Sequence, residues 1–138
     1  MTPDEMAQIH AIAFAPSRGW QTEEFASLLS GQGIQVFTAP HGFAVTRTLA
    51  GESELITLAV SPEHQRRGIA LSLLKRWLEA VAAQAETAFL DVAADNDAAL
   101  ALYHNLSFER SGLRKGYYAR AGGPAVDAVL MKRASTQG

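Results

Sequence analysis

The chain is predicted to fold as α/β of the α+β kind: a mixed, mostly antiparallel sheet with a central parallel strand–helix–strand unit and helices on both faces. Three observations carry that prediction. A β-rich meander occupies residues 35–60. The clearest amphipathic stripe, residues 68–84, lies between two apolar strands, so residues 54–92 form a right-handed parallel crossover. The chain has 138 residues, 48% hydrophobic and 19% charged, which suits one core without disulfide staples. No repeat, linker or low-complexity stretch divides it, and a single domain over residues 1–138 is expected.

In order along the chain, residues 3–15 carry Met6, Ile9, Ile12 and Phe14 near helical spacing, with Asp4 and Glu5 suited to a first turn. Thr22, followed by Glu23 and Glu24, is the expected N-cap of a second helix through Phe25, Leu28 and Leu29, which Gly31 and Gly33 end. Residues 35–38 and 43–46 are short β-rich runs flanking the turn-like Ala39-Pro40-His41-Gly42. Residues 54–60 form a third strand, stopped by Ser61-Pro62. In the long helix, Ile69, Leu73, Leu74, Trp77, Leu78 and Val81 share one stripe while Lys75, Arg76 and Glu79 face away. Residues 87–92 are a compact apolar strand. Asp95-Asn96-Asp97 then caps a helix running to about residue 106, followed by strands at 109–118 and 126–131 and a tail from residue 134 expected to fray.

Lys plus Arg is 12 and Asp plus Glu is 14, a net charge of −2, which argues against a nucleic-acid partner bound through bulk charge. The absence of cysteine excludes disulfides, thiolate catalysis and Cys-ligated zinc, and no metal is expected. The start, Met1-Thr2-Pro3-Asp4-Glu5, is acidic where a signal peptide would be basic, and no apolar run approaches the ~20 residues of a membrane span. A cytoplasmic protein without a membrane partner is expected.

One segment departs from generic fold-making. Gln65-Arg66-Arg67-Gly68-Ile69-Ala70 joins a strand to the amphipathic helix, where backbone N–H groups are unpaired and the helix dipole is positive. Gly68 and Ala70 leave the backbone uncovered, so a pyrophosphate could approach the amides. Taken alone, the spacing slightly favours the plainer reading, a bare helix start with two solvated arginines. No GxxxxGK[ST] or GxGxxG is present.

The stretch Val60-Ser61-Pro62-Glu63-His64-Gln65-Arg66-Arg67-Gly68-Ile69-Ala70 resembles the acetyl-CoA motif of the Gcn5-related N-acetyltransferases (GNAT), Arg/Gln-x-x-Gly-x-Gly/Ala. A second block, Leu90-Asp91-Val92, Asn96, Ala101-Leu102-Tyr103 and Leu106-Ser107-Phe108, resembles the family's later strand and helix. Within the family, Gly112-Leu113-Arg114-Lys115-Gly116-Tyr117-Tyr118 is most similar to the ribosomal protein alanine N-acetyltransferases. The resemblance implies a GNAT-like sheet lacking the usual first strand. It implies acetyl-CoA as co-substrate, cradled by Arg66, Arg67, Gly68, Ile69, Ala70 and Leu71, with the edge Leu58-Ala59-Val60 pairing its pantetheine and Asn96 touching it. It also implies Asp91 as base, Tyr103 as acid, and an amine acceptor such as a ribosomal protein N-terminus.

That chemistry is coherent. An α-amine (pKa ~7.7–8) sheds its proton more readily than a lysine amine of ~10.4, and direct attack on a thioester needs no nucleophilic residue. Plainer readings stand beside it. Tyr103, on an apolar stripe with Ala99, Leu102 and Leu106, would by itself be a core tyrosine. Asp91 is one methylene shorter than the subfamily's glutamate, so it could act directly, through a water, or only bind the amine. Asn96 could be a helix cap. Tyr117 and Tyr118 could line the acceptor site or pack in a strand, and Trp20 could be core or a lip of the acceptor groove. His64 and His104 are expected at the surface. Leu71 stands where the family often has a small or basic residue, and Ser107 where it usually has glycine. A small-molecule amine acceptor and a non-catalytic acyl-CoA-binding module are the competing functions, and the protein could be a monomer or a homodimer.

Overall fold

The computed structural model describes residues 1–14, 19–65, 67–120 and 122–134. Its elements are α1 (Pro3–Ala13), α2 (Thr22–Leu29), β1 (Ile34–Ala39), β2 (Gly42–Leu49), β3 (Glu52–Val60), a 3-10 turn (Pro62–His64), α3 (Ile69–Val81), β4 (Thr87–Ala93), α4 (Asp97–Asn105), β5 (Glu109–Tyr118) and β6 (Val126–Ala134). The strands make one sheet in the order β1-β2-β3-β4-β6-β5. Every neighbouring pair is antiparallel except β3 with β4, the parallel crossover. β2, β3 and β6 run longer than expected and α3 is shorter. Residue 15 of the first expected helix and residues 135–138 of the tail lie outside the described residues.

Two apolar layers hold the sheet. On one face α3 buries Leu73, Leu74, Trp77, Leu78 and Val81 against β4 and β6, with Tyr103 and Phe108 completing the cluster. On the other, α1 and α2 press Met6 and Phe25 onto Phe43, Val45 and Ala59. Helices therefore cover both faces.

A β-bulge decides which side chains of β3 face which layer. Val45 pairs with Thr57 but Thr46 with Leu55, so Ile56 is the extra residue and the alternation reverses across it. Before the bulge, Ser53 accepts from the Trp77 indole N–H at 2.8 Å on the α3 side. Beyond it, the Thr57 hydroxyl meets His10 Nε2 at 3.1 Å on the α1 side.

His10 also corrects the expected face of α1. Met6 and His10 are the buried residues, while Ile12 and Phe14 are 58% and 41% exposed. His10 Nδ1 accepts from the Trp20 backbone N–H at 3.0 Å, so the neutral ring carries its proton on Nε2 and donates it to Thr57. Those two bonds satisfy both ring nitrogens and hold His10 on the inner face. The cap of α2 is likewise Gln21 rather than Thr22. Glu24 Oε1 accepts from the Gln21 N–H at 2.9 Å, while the Thr22 hydroxyl donates to Asp4 at 2.9 Å and ties α2 to α1.

Candidate active site

The pairing of β3 with β4 is short. It covers Glu52↔Thr87, Ser53↔Ala88 and Glu54↔Phe89 and then stops, so the two parallel strands diverge towards their C-terminal ends. The β4-facing edge of residues 55–60, including Leu58, Ala59 and Val60, carries no ladder partner from β4. Such a wedge exposes main-chain donors and acceptors that an extended, amide-bearing ligand can pair with.

At the mouth of the wedge lies a cavity of about 200 Å3 lined by Val60, His64, Gln65, Gly68, Ile69, Ala70, Leu71 and Leu102. Gly68 caps α3 with φ of 79° and makes no side-chain cap bond, so the first amides of α3 receive no capping side chain. Glycine suits this left-handed position, and a Cβ added there would meet nothing within 4 Å, so the space in front of the amides is open. Gln65 donates from Nε2 to the Val60 carbonyl at 3.0 Å and fixes the loop against the strand. Open edge, uncapped amides and intervening cavity together fit a pantetheine arm ending in a pyrophosphate. Arg66 lies outside the described residues, and Arg67 is exposed at the rim.

His64 differs from its expected surface position. Its ring stacks on His41 with centroids 3.6 Å apart and planes 8° apart, and its buried Nδ1 has no partner among the described residues. His104 is exposed as expected. Asn96 is the cap of α4, its Oδ1 accepting from the Ala99 N–H at 3.1 Å. Ser107 takes φ of 71°, the left-handed conformation that glycine adopts more cheaply, and the Phe108 N–H closes the turn on the Tyr103 carbonyl.

Tyr103 is 6% exposed on the inner face of α4, edge-on to Phe108 at 6.0 Å. Burial, then the nearby Tyr118, pushes its phenol pKa up, so the group holds its proton throughout the neutral range. Asp91 is half-buried on the face of β4 opposite Leu90 and Val92. The register places Glu54 on that same face, opposite Phe89 and two residues along from Asp91. Burial and then the Asp91 charge raise the Glu54 carboxyl above its ordinary range, against the pull of Arg47 and Arg114. Tyr118 is raised by burial, Asp91 and Tyr117, against Arg120 and Arg114. Asp91 thus acts on both Glu54 and Tyr118, and Tyr118 in turn on Tyr103.

Tyr117 is 52% exposed, with the Tyr118 ring perpendicular to it at 5.0 Å. Trp20 packs in the α1–α2 layer, with ring contacts to His10 at 5.0 Å and Phe25 at 5.5 Å. It also borders an open depression of about 470 Å3 with Glu23, Glu24, Ser27 and Leu28. Glu54 is the residue that sequence reasoning missed. Its signal was an acidic residue in a β-strand on the face opposite the buried Leu55.

Comparison with known proteins bears on the same region. The FR47-like protein family matches residues 43–118, from β2 through the wedge to the tyrosines of β5. The ribosomal protein bS18-alanine N-acetyltransferase of Escherichia coli strain K12 is 31% identical over 135 residues, covering 94% of this chain and 90% of that one. This chain belongs to the GNAT acetyltransferase family. The crystal structure of the ribosomal-protein-S18-alanine N-acetyltransferase from Escherichia coli superposes with a TM-score of 0.88 at 30% identity, covering 99% of this chain and 89% of that one. The fold recurs in NAA60 of Arabidopsis thaliana, solved in complex with acetyl-CoA, with a TM-score of 0.77 at 20% identity over 97% of this chain and 95% of that one. The GNAT enzyme described here is an N-acetyltransferase.

Proposed function

We propose that this acetyltransferase acts on a protein N-terminal α-amine, of the kind a ribosomal protein with N-terminal alanine presents. The observation that carries the reading is the acidic and aromatic face of Asp91, Glu54, Tyr118 and Tyr117 beside the wedge. An α-ammonium suits two carboxyl groups, and the exposure of Tyr117 leaves room for the rest of a polypeptide, whereas a small amine would be better served by a closed pocket. The similarity to the alanine N-acetyltransferase of Escherichia coli supports the same acceptor.

Bound acetyl-CoA supplies an acetyl group activated as a thioester. The amides of Ile69, Ala70 and Leu71 hold its pyrophosphate, and the β3 edge at residues 58–60 aligns its amide arm and polarises the carbonyl. Asp91 binds the α-ammonium and takes its proton, directly or through one water. A specific observation favours a second assignment for that step: burial and then the Asp91 charge raise the Glu54 carboxyl above its ordinary range, towards the pH at which an α-amine gives up its proton. Tyr103 keeps its proton at neutral pH and delivers it to the departing sulfur. Asn96 shapes the loop at the start of α4 through its cap bond, and in this reading it also touches the bound cofactor.

Thiol release from acetyl-CoA tests the reading, with a short peptide bearing N-terminal alanine compared against polyamines, amino acids and aminoglycosides. The peptide is expected to exceed every small amine in kcat/KM by about 100-fold or more, the scale of discrimination that several acceptor contacts give. A small amine that matches the peptide overturns the acceptor assignment. Acetyl-CoA binding with no turnover on any amine overturns the assigned chemistry.

A further inference from the structure

We propose that the Asp95–Arg120 ion pair is a latch that positions Tyr118 for the acceptor and couples the β5–β6 hairpin to the loop that starts α4. The proposal rests on the reading of this face as the acceptor site.

Asp95 and Arg120 are 25 residues apart in sequence, yet they meet as a two-pronged fork. Arg120 Nη2 donates to Asp95 Oδ1 at 2.9 Å and Arg120 Nε to Asp95 Oδ2 at 3.2 Å. The fork fixes the plane of the guanidinium as well as its place. The guanidinium carbon lies over the Tyr118 ring, 5.8 Å from its centroid, and Tyr118 meets Tyr117 edge-on at 5.0 Å. Arg114 covers the far ring at 5.4 Å from Tyr117. The stack therefore runs Asp95, Arg120, Tyr118, Tyr117, Arg114, and its anchored end is the β4–α4 loop.

A second tie ends at the same loop. Between the pairs Arg114↔Ala128 and Tyr118↔Val126, β5 carries two more residues than β6, a bulge in which Gly116 takes φ of 60°. The Gly116 N–H donates to the Asp127 carboxylate at 2.8 Å, while the Asp127 carbonyl accepts from the Ala94 N–H at 2.8 Å. One residue of β6 thus holds both the bulge that aims the tyrosines and the loop that carries Asp95 and Asn96.

The side chains of Arg120 and Asp95 are 33% and 51% exposed. Exposed pairs contribute little to stability, so the consequence of this one is geometric: it keeps Tyr118 from swinging away from Asp91 and Tyr103. Arg120 and Asp95 are positioning residues.

Arg120→Ala, Asp95→Ala and the double variant test this in the full-length enzyme, with both KM values, kcat and the melting temperature measured. A fluorine NMR spectrum of protein labelled with 3-fluorotyrosine, assigned by Tyr118→Phe, reports the ring directly. Each single variant is expected to raise the acceptor KM about fivefold to tenfold, the scale of a lost positioning contact, with kcat and the acetyl-CoA KM within about twofold. The double variant is expected to lose no more than either single one, because the two groups act as a unit. Arg120→Lys keeps the charge without the fork and falls between. The Tyr118 resonance moves in both single variants. An unchanged acceptor KM, additive losses, or both KM values rising together with a fall in melting temperature overturns the latch. If the wild-type enzyme does not acetylate the peptide, the acceptor reading fails by itself, and the Tyr118 resonance still decides the latch.

Discussion

Replacing Tyr103 with phenylalanine removes one oxygen and leaves the ring. The ring is 6% exposed and packs edge-on to Phe108, so its volume and contacts are retained and stability is expected to change by about 1 kcal/mol or less. The chemistry should respond far more. General acid catalysis contributes about 10²- to 10⁴-fold, and a phenol pushed upward by burial is a reluctant donor, which places its contribution at the low end. The expected loss in kcat is about 100-fold, or about 2.7 kcal/mol of barrier. Stopped thiol-release assays at saturating acetyl-CoA and acceptor give kcat, and calorimetric titration gives the acetyl-CoA affinity of the same variant. A kcat within about threefold of wild type, with affinity intact, would refute Tyr103 as the proton donor, since so small a change lies well below the general-acid range.

The two carboxyl groups separate through pH. Asp91 raises Glu54, so Asp91→Asn lets Glu54 ionise at lower pH; if Glu54 takes the proton, the acid limb of kcat/KM moves down while activity persists, whereas loss of activity by about 100-fold at every pH assigns the step to Asp91. Gly68→Val places a β-branched residue at φ of 79°, a conformation that costs about 1–2 kcal/mol, and the acetyl-CoA KM measured by initial rates is expected to rise several-fold while the acceptor KM holds. Burial lowers the His10 pKa to about 4 from the usual 6.5. The unfolded chain therefore binds the extra proton first as pH falls, and the stability His10 contributes is full above 6.5 and lost progressively towards pH 4. Urea unfolding is expected to lose about 2 kcal/mol between pH 7 and pH 5 from this group, and an equally steep slope in His10→Gln would contradict the assignment.

What the sequence made legible was local. The stripe from Leu73 to Val81 and the cap at Asn96 follow from spacing within one or two turns, and both stand in the structure. Gly68 stood out because it leaves the backbone uncovered at a helix start, and the structure adds a positive φ that suits glycine. What remained hidden depends on partners far along the chain. The inward turn of His10 requires Thr57, 47 residues away. The face of Glu54 is disguised by the bulge at Ile56, because simple alternation puts Leu55, Thr57 and Ala59 on one face, whereas the structure divides them between two. The divergence of β3 from β4 has no compositional mark, since an apolar strand reads alike whether or not its edge is paired. Trp20 read as core or as a lip of a groove, and its stacking on His10 and Phe25 depends on partners that spacing does not show.

The most direct test of the account uses one peptide that carries both an N-terminal alanine and an internal lysine, incubated at pH 7 with enzyme and acetyl-CoA. Tandem mass spectrometry locates the acetyl group while released thiol is counted in parallel. The account predicts one acetyl on the α-amine, an unmodified lysine, and one thiol per acetylated peptide. Acetyl on the lysine side chain, or thiol release without peptide modification, would contradict it.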